Sequence, residues 1–151
     1  MTKKQGLIGY CGLYCGDCSG YTQTVANLAR DLRKELRRYR YGKMAELMPQ
    51  VPLFKEFEHY DKCYSLLGTM VKLRCKRTCR GNGGPPNWKI RNCARKKEFG
   101  GCWQCDDFPT CETLTFLETN HGVAHLKNLR KLKHQGPGAF IKGTRHWYVT
   151  K

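Results

Sequence analysis

The sequence has no long apolar run. No stretch approaches the roughly 18 consecutive apolar residues that a membrane-spanning helix needs, so a membrane protein is not expected. The charged start, Met-Thr-Lys-Lys, is not followed by an apolar stretch of signal-peptide length, and a cytoplasmic location is expected. Acidic residues are scarce: 12 Asp and Glu stand against 28 Lys and Arg, a formal net charge of +16. The histidines, His59, His121, His125, His134 and His146, are scattered. No Ser/His/Asp or Cys/His signature forms among them, so no catalytic residue is assigned and an enzyme is not the expected class. The stretch 80–87, Arg-Gly-Asn-Gly-Gly-Pro-Pro-Asn, lacks the spacing and the Lys-Ser/Thr ending of a P-loop and reads as a connector. The ferredoxin run C-x-x-C-x-x-C-x-x-x-C-P is absent, as is any solenoid repeat.

Cysteine is abundant instead. In a reducing compartment disulfides are rare, and ten cysteines in 151 residues point to thiolate ligands rather than an oxidised scaffold. Cys15 and Cys18 form one C-x-x-C, Cys102 and Cys105 another, and Cys75 and Cys79 a C-x-x-x-C. Cys11 stands four residues before Cys15, and Cys93 and Cys111 flank the second C-x-x-C. Soft sulfur selects zinc or iron–sulfur clusters, and structural zinc takes four ligands, often two from each of two short turns. These nine residues are enough for two such sites; which cysteines share a site stays open. Zinc is the expected cofactor and an iron–sulfur cluster the alternative. The Cys11-x-x-x-Cys15-x-x-Cys18 spacing is also that of radical-SAM clusters, but Asp17 stands where that motif has an aromatic residue. The partial barrel of that superfamily also needs about 200 residues or more.

Periodicity places the cysteines on a helical body. Over 23–40, Val25, Leu28, Ala29, Leu32, Leu36 and Tyr39 recur at helical spacing, with Thr24 as N-cap. Opposite them stand Arg30, Arg33, Lys34, Arg37, Arg38 and Arg40, with Asp31 and Glu35 on the flank. The run extends weakly to Met48 before Pro49 and Pro52. Leu53, Phe54, Phe57, Tyr60, Tyr64 and Leu67 read as a helix packed on the first. Cys63 falls within that pattern and is expected to be a small buried hydrophobe, not a ligand. Residues 112–134 read as helix broken near Gly122 and ended by Gly136-Pro-Gly138, with the tail at 139–149 docked on the body. The expected fold is mainly α: a small, cysteine-rich, metal-stapled single domain over 1–151 with irregular metal-binding loops. Its ligand regions, 11–18 and 75–111, are joined by the basic helix near 23–40.

The charge adds a partner class. A field of this size attracts polyanions, and two zinc tetrathiolates lower it only to about +12. Further basic clusters lie at 89–97 and 127–133, with Tyr39, Tyr41, Trp88, Trp147 and Tyr148 among or near basic residues. Cations contact phosphates and aromatic faces stack on bases, so RNA or single-stranded DNA is the expected partner class. The Arg30–Arg40 face is the candidate surface.

The run Cys11-Gly-Leu-Tyr-Cys15-Gly-Asp-Cys18, the element Ile90-Arg-Asn-Cys-Ala94 and the segment Cys102-x-x-Cys105-x-x-Phe-Pro occur together in that order. The chain thereby resembles the cysteine-rich proteins of domain-of-unknown-function family 3795, common in anaerobic bacteria and archaea. The resemblance covers most of the chain. It implies a compact cysteine-rich metal-binding fold and no known reaction. Matched position by position, it supports Cys11, Cys15, Cys18, Cys75, Cys79, Cys93, Cys102, Cys105 and Cys111 as ligands. Trp88 stands where the family usually has a further cysteine, and Phe108-Pro-Thr-Cys111 replaces its Phe-Pro-Cys.

Overall fold

The computed structural model describes residues 2–84 and 87–149. Pro85 and Pro86, in the connector read at 80–87, lie outside the described residues. The chain is mainly helical. Among the described residues its α-helices are α1 (Ser19–Thr22), α2 (Thr24–Arg38), α3 (Tyr41–Leu47), α4 (Tyr60–Lys72), α5 (Lys89–Lys96), α6 (Glu112–Thr115), α7 (Glu118–His121) and α8 (Ala124–Lys142). Short 3-10 turns separate several of them. The contacts group into two compact units, one formed by Met1–Tyr21 with Cys75–Lys151 and the other by Thr22–Arg74.

The unit Thr22–Arg74 is built on α2 and α4. Thr24 is not the N-cap of α2 but its first helical residue: the cap position falls to Gln23, in the left-handed region (φ 61°). A second left-handed residue, Arg40 (φ 56°), separates α2 from α3, so the run to Met48 is two helices rather than one. Pro49 and Pro52 then hold the chain in 3-10 turns, Met48–Gln50 and Pro52–His59, because proline offers no N–H to an α-helix.

The face that α2 buries differs from the expected stripe. Ala26 and Ala29 are buried, while Val25, Leu28 and Leu32 are 45%, 65% and 49% exposed. The reason is the partner surface. Arg33 lies 4.3 Å from the centroid of the Tyr64 ring, and Arg37 Nη1 donates to Tyr64 Oη at 2.7 Å. Small alanines permit close approach, and the guanidiniums satisfy the aromatic face and hydroxyl of α4. Gly68 leaves room for this, since a Cβ there would sit 2.8 Å from Arg33 Nη1. At the end of the unit Arg74 donates to Val71 O, Gln23 Oε1 and Ala26 O, tying the start of α2 to the end of α4. Cys63 is exposed on α4, not buried as the apolar pattern suggests.

The other unit forms around a hairpin and α8. Ile8 and Tyr14 pair as an antiparallel bridge, with Gly9 N–H donating to Leu13 O at 2.8 Å. Beneath the hairpin lie Leu129 and Leu132 of α8, fully or nearly fully buried. Gly122 breaks the chain between α7 and α8, as its position suggests. At Gly136 (φ 73°) α8 is interrupted but not ended: a further turn carries Phe140 into the core. The tail is docked. Buried Asn128 donates to His146 O at 2.8 Å and accepts from His146 N–H at 3.0 Å, while Val123 N–H bonds Val149 O.

Gly12 is a point where this unit packs closely against α8. Its φ is +83°, and a Cβ there would stand 2.9 Å from Leu129 Cγ. Gly12→Ala therefore meets both backbone strain and a crowded core. The variant is expected to lose about 2–4 kcal/mol, read as a lower denaturation midpoint with an unchanged slope.

Candidate metal centre

The two C-x-x-C pairs take the same local form. Cys15–Asp17 and Cys102–Gln104 are 3-10 turns, closed by Cys18 N–H to Cys15 O at 3.1 Å and Cys105 N–H to Cys102 O at 3.0 Å. In a 3-10 turn residues i and i+3 eclipse, so each pair presents two thiols on one side. Cys111 closes a third such turn, with its N–H on Phe108 O at 3.4 Å, and α6 starts at the next residue. Cys75 and Cys79 lie on irregular chain, and Cys93 lies on α5.

Backbone bonds bring these segments together within one unit. Cys75 N–H donates to Gly20 O at 2.8 Å, and Cys102 N–H donates to Tyr10 O at 2.8 Å. Regions 11–18 and 75–111 thus meet although the chain between them forms the other unit. Cys11, Cys15, Cys18, Cys75 and Cys79 line one cavity of about 230 Å³. Cys102 is surrounded by Cys111, Cys93 and Cys105, with Cys79 beyond. Nine of the ten cysteines therefore fall in two adjoining groups, and Cys63 stands in the other unit. None of the ten forms a disulfide. Among the described residues no three His, Cys, Asp or Glu side chains are drawn to the spacing of ligands on one ion. The thiols are gathered but not closed.

Burial governs their ionisation. It pushes the Cys11 thiol up to about 12, opposed by the Leu13 N–H beside its sulfur and reinforced by Cys79, Cys102 and Cys15. Cys102 is likewise pushed up to about 12, by burial first and then by Cys111, Cys93 and Cys105. Cys15 is raised by burial too, although the Cys79 N–H favours its thiolate. At the rim of the second group Lys97 Nζ stands 3.7 Å from Cys105 Sγ, which raises the Lys97 pKa.

Arginines frame the cysteines, a role the sequence reading missed. Buried Arg91 donates through Nη1 to Cys79 O at 3.3 Å and Gly83 O at 2.8 Å. Arg80 Nε donates to Ile8 O at 2.7 Å, and its guanidinium lies 4.7 Å from the Tyr10 ring. Arg95 donates to Arg80 O and to Asn82 Oδ1, both at 2.9 Å. Two cations of the 89–97 cluster thus hold the Cys79 loop. The signal was present: Ile90, Arg91 and Ala94 share one face of α5, and all three are buried.

Residues outside the cysteine groups are placed as follows. His121 Nδ1 lies 2.9 Å from Trp147 O, which fixes its ring against the tail. Of the six basic residues of 30–40, Arg30 pairs with Asp31 at 2.8 Å and Arg38 with Glu35 at 3.5 Å. Arg33 and Arg37 turn to Tyr64, and Lys34 and Arg40 are exposed.

A family model described as protein of unknown function (DUF3795) matches residues 7–116. The chain belongs to this family. The matched span contains both cysteine groups and all three framing arginines, and it stops before α7, α8 and the docked tail. Comparison with curated proteins and with solved structures finds no match.

The raised thiols imply an order of reaction. A thiol whose pKa is raised holds less thiolate at a given pH, and the thiolate is the nucleophile. Alkylation of the metal-free protein at pH 8 is expected to label exposed Cys63 and Cys93 first and Cys11 and Cys102 last, by mass spectrometry of timed samples. Equal rates at all four contradict this.

Proposed function

We propose that the protein binds metal through its cysteines, that the metal's main role is structural, and that zinc is an ion the donor set suits. One observation supports this most strongly. Nine thiols from three stretches of chain gather in two adjoining groups, each with at least the four sulfurs that structural zinc takes. Cys93, Cys102, Cys105 and Cys111 form one such set of four. When bound, zinc would replace the protons of these thiols and add links between segments that also share an apolar core, so its binding energy would add to folding energy. Leu13 N–H and Cys79 N–H already face sulfur, and the Lys97 ammonium lies beside Cys105. The two N–H groups favour a thiolate over a thiol at Cys11 and Cys15.

Metal analysis of anaerobically purified chain tests this. Bound metal is expected, and its removal by chelator is expected to lower the thermal midpoint by 10 °C or more, on the order of 2–4 kcal/mol or greater. A metal-free protein with an unchanged midpoint contradicts it.

A second reading concerns the partner. The charge of +16 supports a polyanion such as RNA or single-stranded DNA. Exposed Lys34 and Arg40, with Arg38 beside them, are the cations of the 30–40 face available to it. Affinity for a single-stranded RNA is then expected to fall steeply with salt. Lys34→Glu, Arg38→Glu and Arg40→Glu together are expected to weaken it at least tenfold. Unchanged binding by the triple variant excludes this face.

A further inference from the structure

Structural zinc takes four sulfurs, each about 2.3 Å from the ion. The cavity lined by Cys11, Cys15, Cys18, Cys75 and Cys79 holds one thiol more than that. This cavity measures about 230 Å³ and offers five thiols. No His, Asp or Glu lines it, and its remaining walls include Trp88, Trp147 and Arg77. Sulfur-only ligation, an apolar wall and room for several atoms are the requirements of a cluster in which each thiolate takes its own iron.

Trp88 adds an independent observation. Its Nε1–H is buried and has no hydrogen-bond partner among the described residues. An indole N–H can only donate, and a buried donor left unpaired costs free energy. The ring packs edge-on against Phe116, with centroids 5.1 Å apart. Sulfurs of iron clusters accept such hydrogen bonds, which help set their reduction potential.

We propose that this cavity is the seat of a sulfide-bridged iron cluster, held by four of its five cysteines, with Trp88 Nε1–H donating to one of the sulfurs. The proposal rests on the metal–thiolate reading above. It divides the two groups: a cluster here, and zinc at Cys93, Cys102, Cys105 and Cys111. Arg77 on the cavity wall offsets the negative charge of a thiolate-bound cluster.

The test is anaerobic reconstitution of the full chain with ferrous iron, sulfide and zinc, followed by analysis of all three. Iron and acid-labile sulfide are expected in equal amounts beside zinc. The pair Cys15→Ser and Cys79→Ser is expected to lose iron and sulfide yet keep zinc, which also shows that the variant folds. Trp88→Phe preserves the aromatic packing and removes the N–H. It is expected to keep its iron while its midpoint potential shifts negative, because the lost bond favoured the reduced, more negative cluster. Zinc with no iron or sulfide overturns the cluster and leaves the metal–thiolate reading standing. No bound metal of any kind overturns both. A Trp88→Phe cluster with an unmoved potential overturns the role of Trp88.

Discussion

Crowding of thiols is the constraint on which the rest of this structure turns. Burial disfavours the thiolate at Cys11, Cys15 and Cys102, and the sulfurs beside them raise their pKa further. Cys11 and Cys102, both pushed up to about 12, stand where the two groups adjoin and feel this most. A cation at the centre of such a group reverses the sign of the problem, since it converts repelling thiolates into shared ligands. The surrounding residues suit that outcome. Backbone N–H groups face Cys11 and Cys15, and Lys97 stands by Cys105. Arg91 and Arg95 hold the Cys79 loop through its carbonyls, and Arg80 ties that loop to Ile8 O.

The local chemistry of the cysteines was legible because it is local. A C-x-x-C spacing needs only one 3-10 turn to align its thiols, and both pairs adopt it. The breaks at Gly122 and Gly136 also follow from single residues, although Pro137 and Gly138 did not prevent a last turn that buries Phe140. What sequence could not settle was which face a helix buries. On α2 the periodic leucines mark one stripe, but Val25, Leu28 and Leu32 are exposed, Ala26 and Ala29 are buried, and Arg33 and Arg37 meet Tyr64. Arginine read as surface charge there because periodicity scores hydrophobicity and not stacking. The same blindness assigned Arg91 and Arg95 to a basic cluster for polyanions, where they serve the backbone around Cys79. Cys63 shows the converse error: an apolar pattern suggested burial, and the side chain is exposed.

The two units differ in what holds them. Thr22–Arg74 relies on helix packing, ring stacking and arginine hydrogen bonds, with its one cysteine exposed. The cysteine unit has a modest apolar core around Ile8, Leu129 and Phe140, and its cysteine-bearing chain is short of regular structure. Residues 75–79 and 97–111 contain no α-helix or strand; turns and carbonyl clamps order them, and Phe108 and Trp103 anchor the second stretch in the apolar core. On the proposed reading, metal would add long-range links within that unit and none within the unit of α2 and α4.

Hydrogen–deuterium exchange of the full chain, before and after chelation under reducing conditions, tests that claim most directly. The account predicts that amides of 8–18 and 75–111 lose protection on metal removal while those of α2 and α4 keep theirs. Unchanged protection across 8–18 and 75–111 after complete metal removal would contradict it.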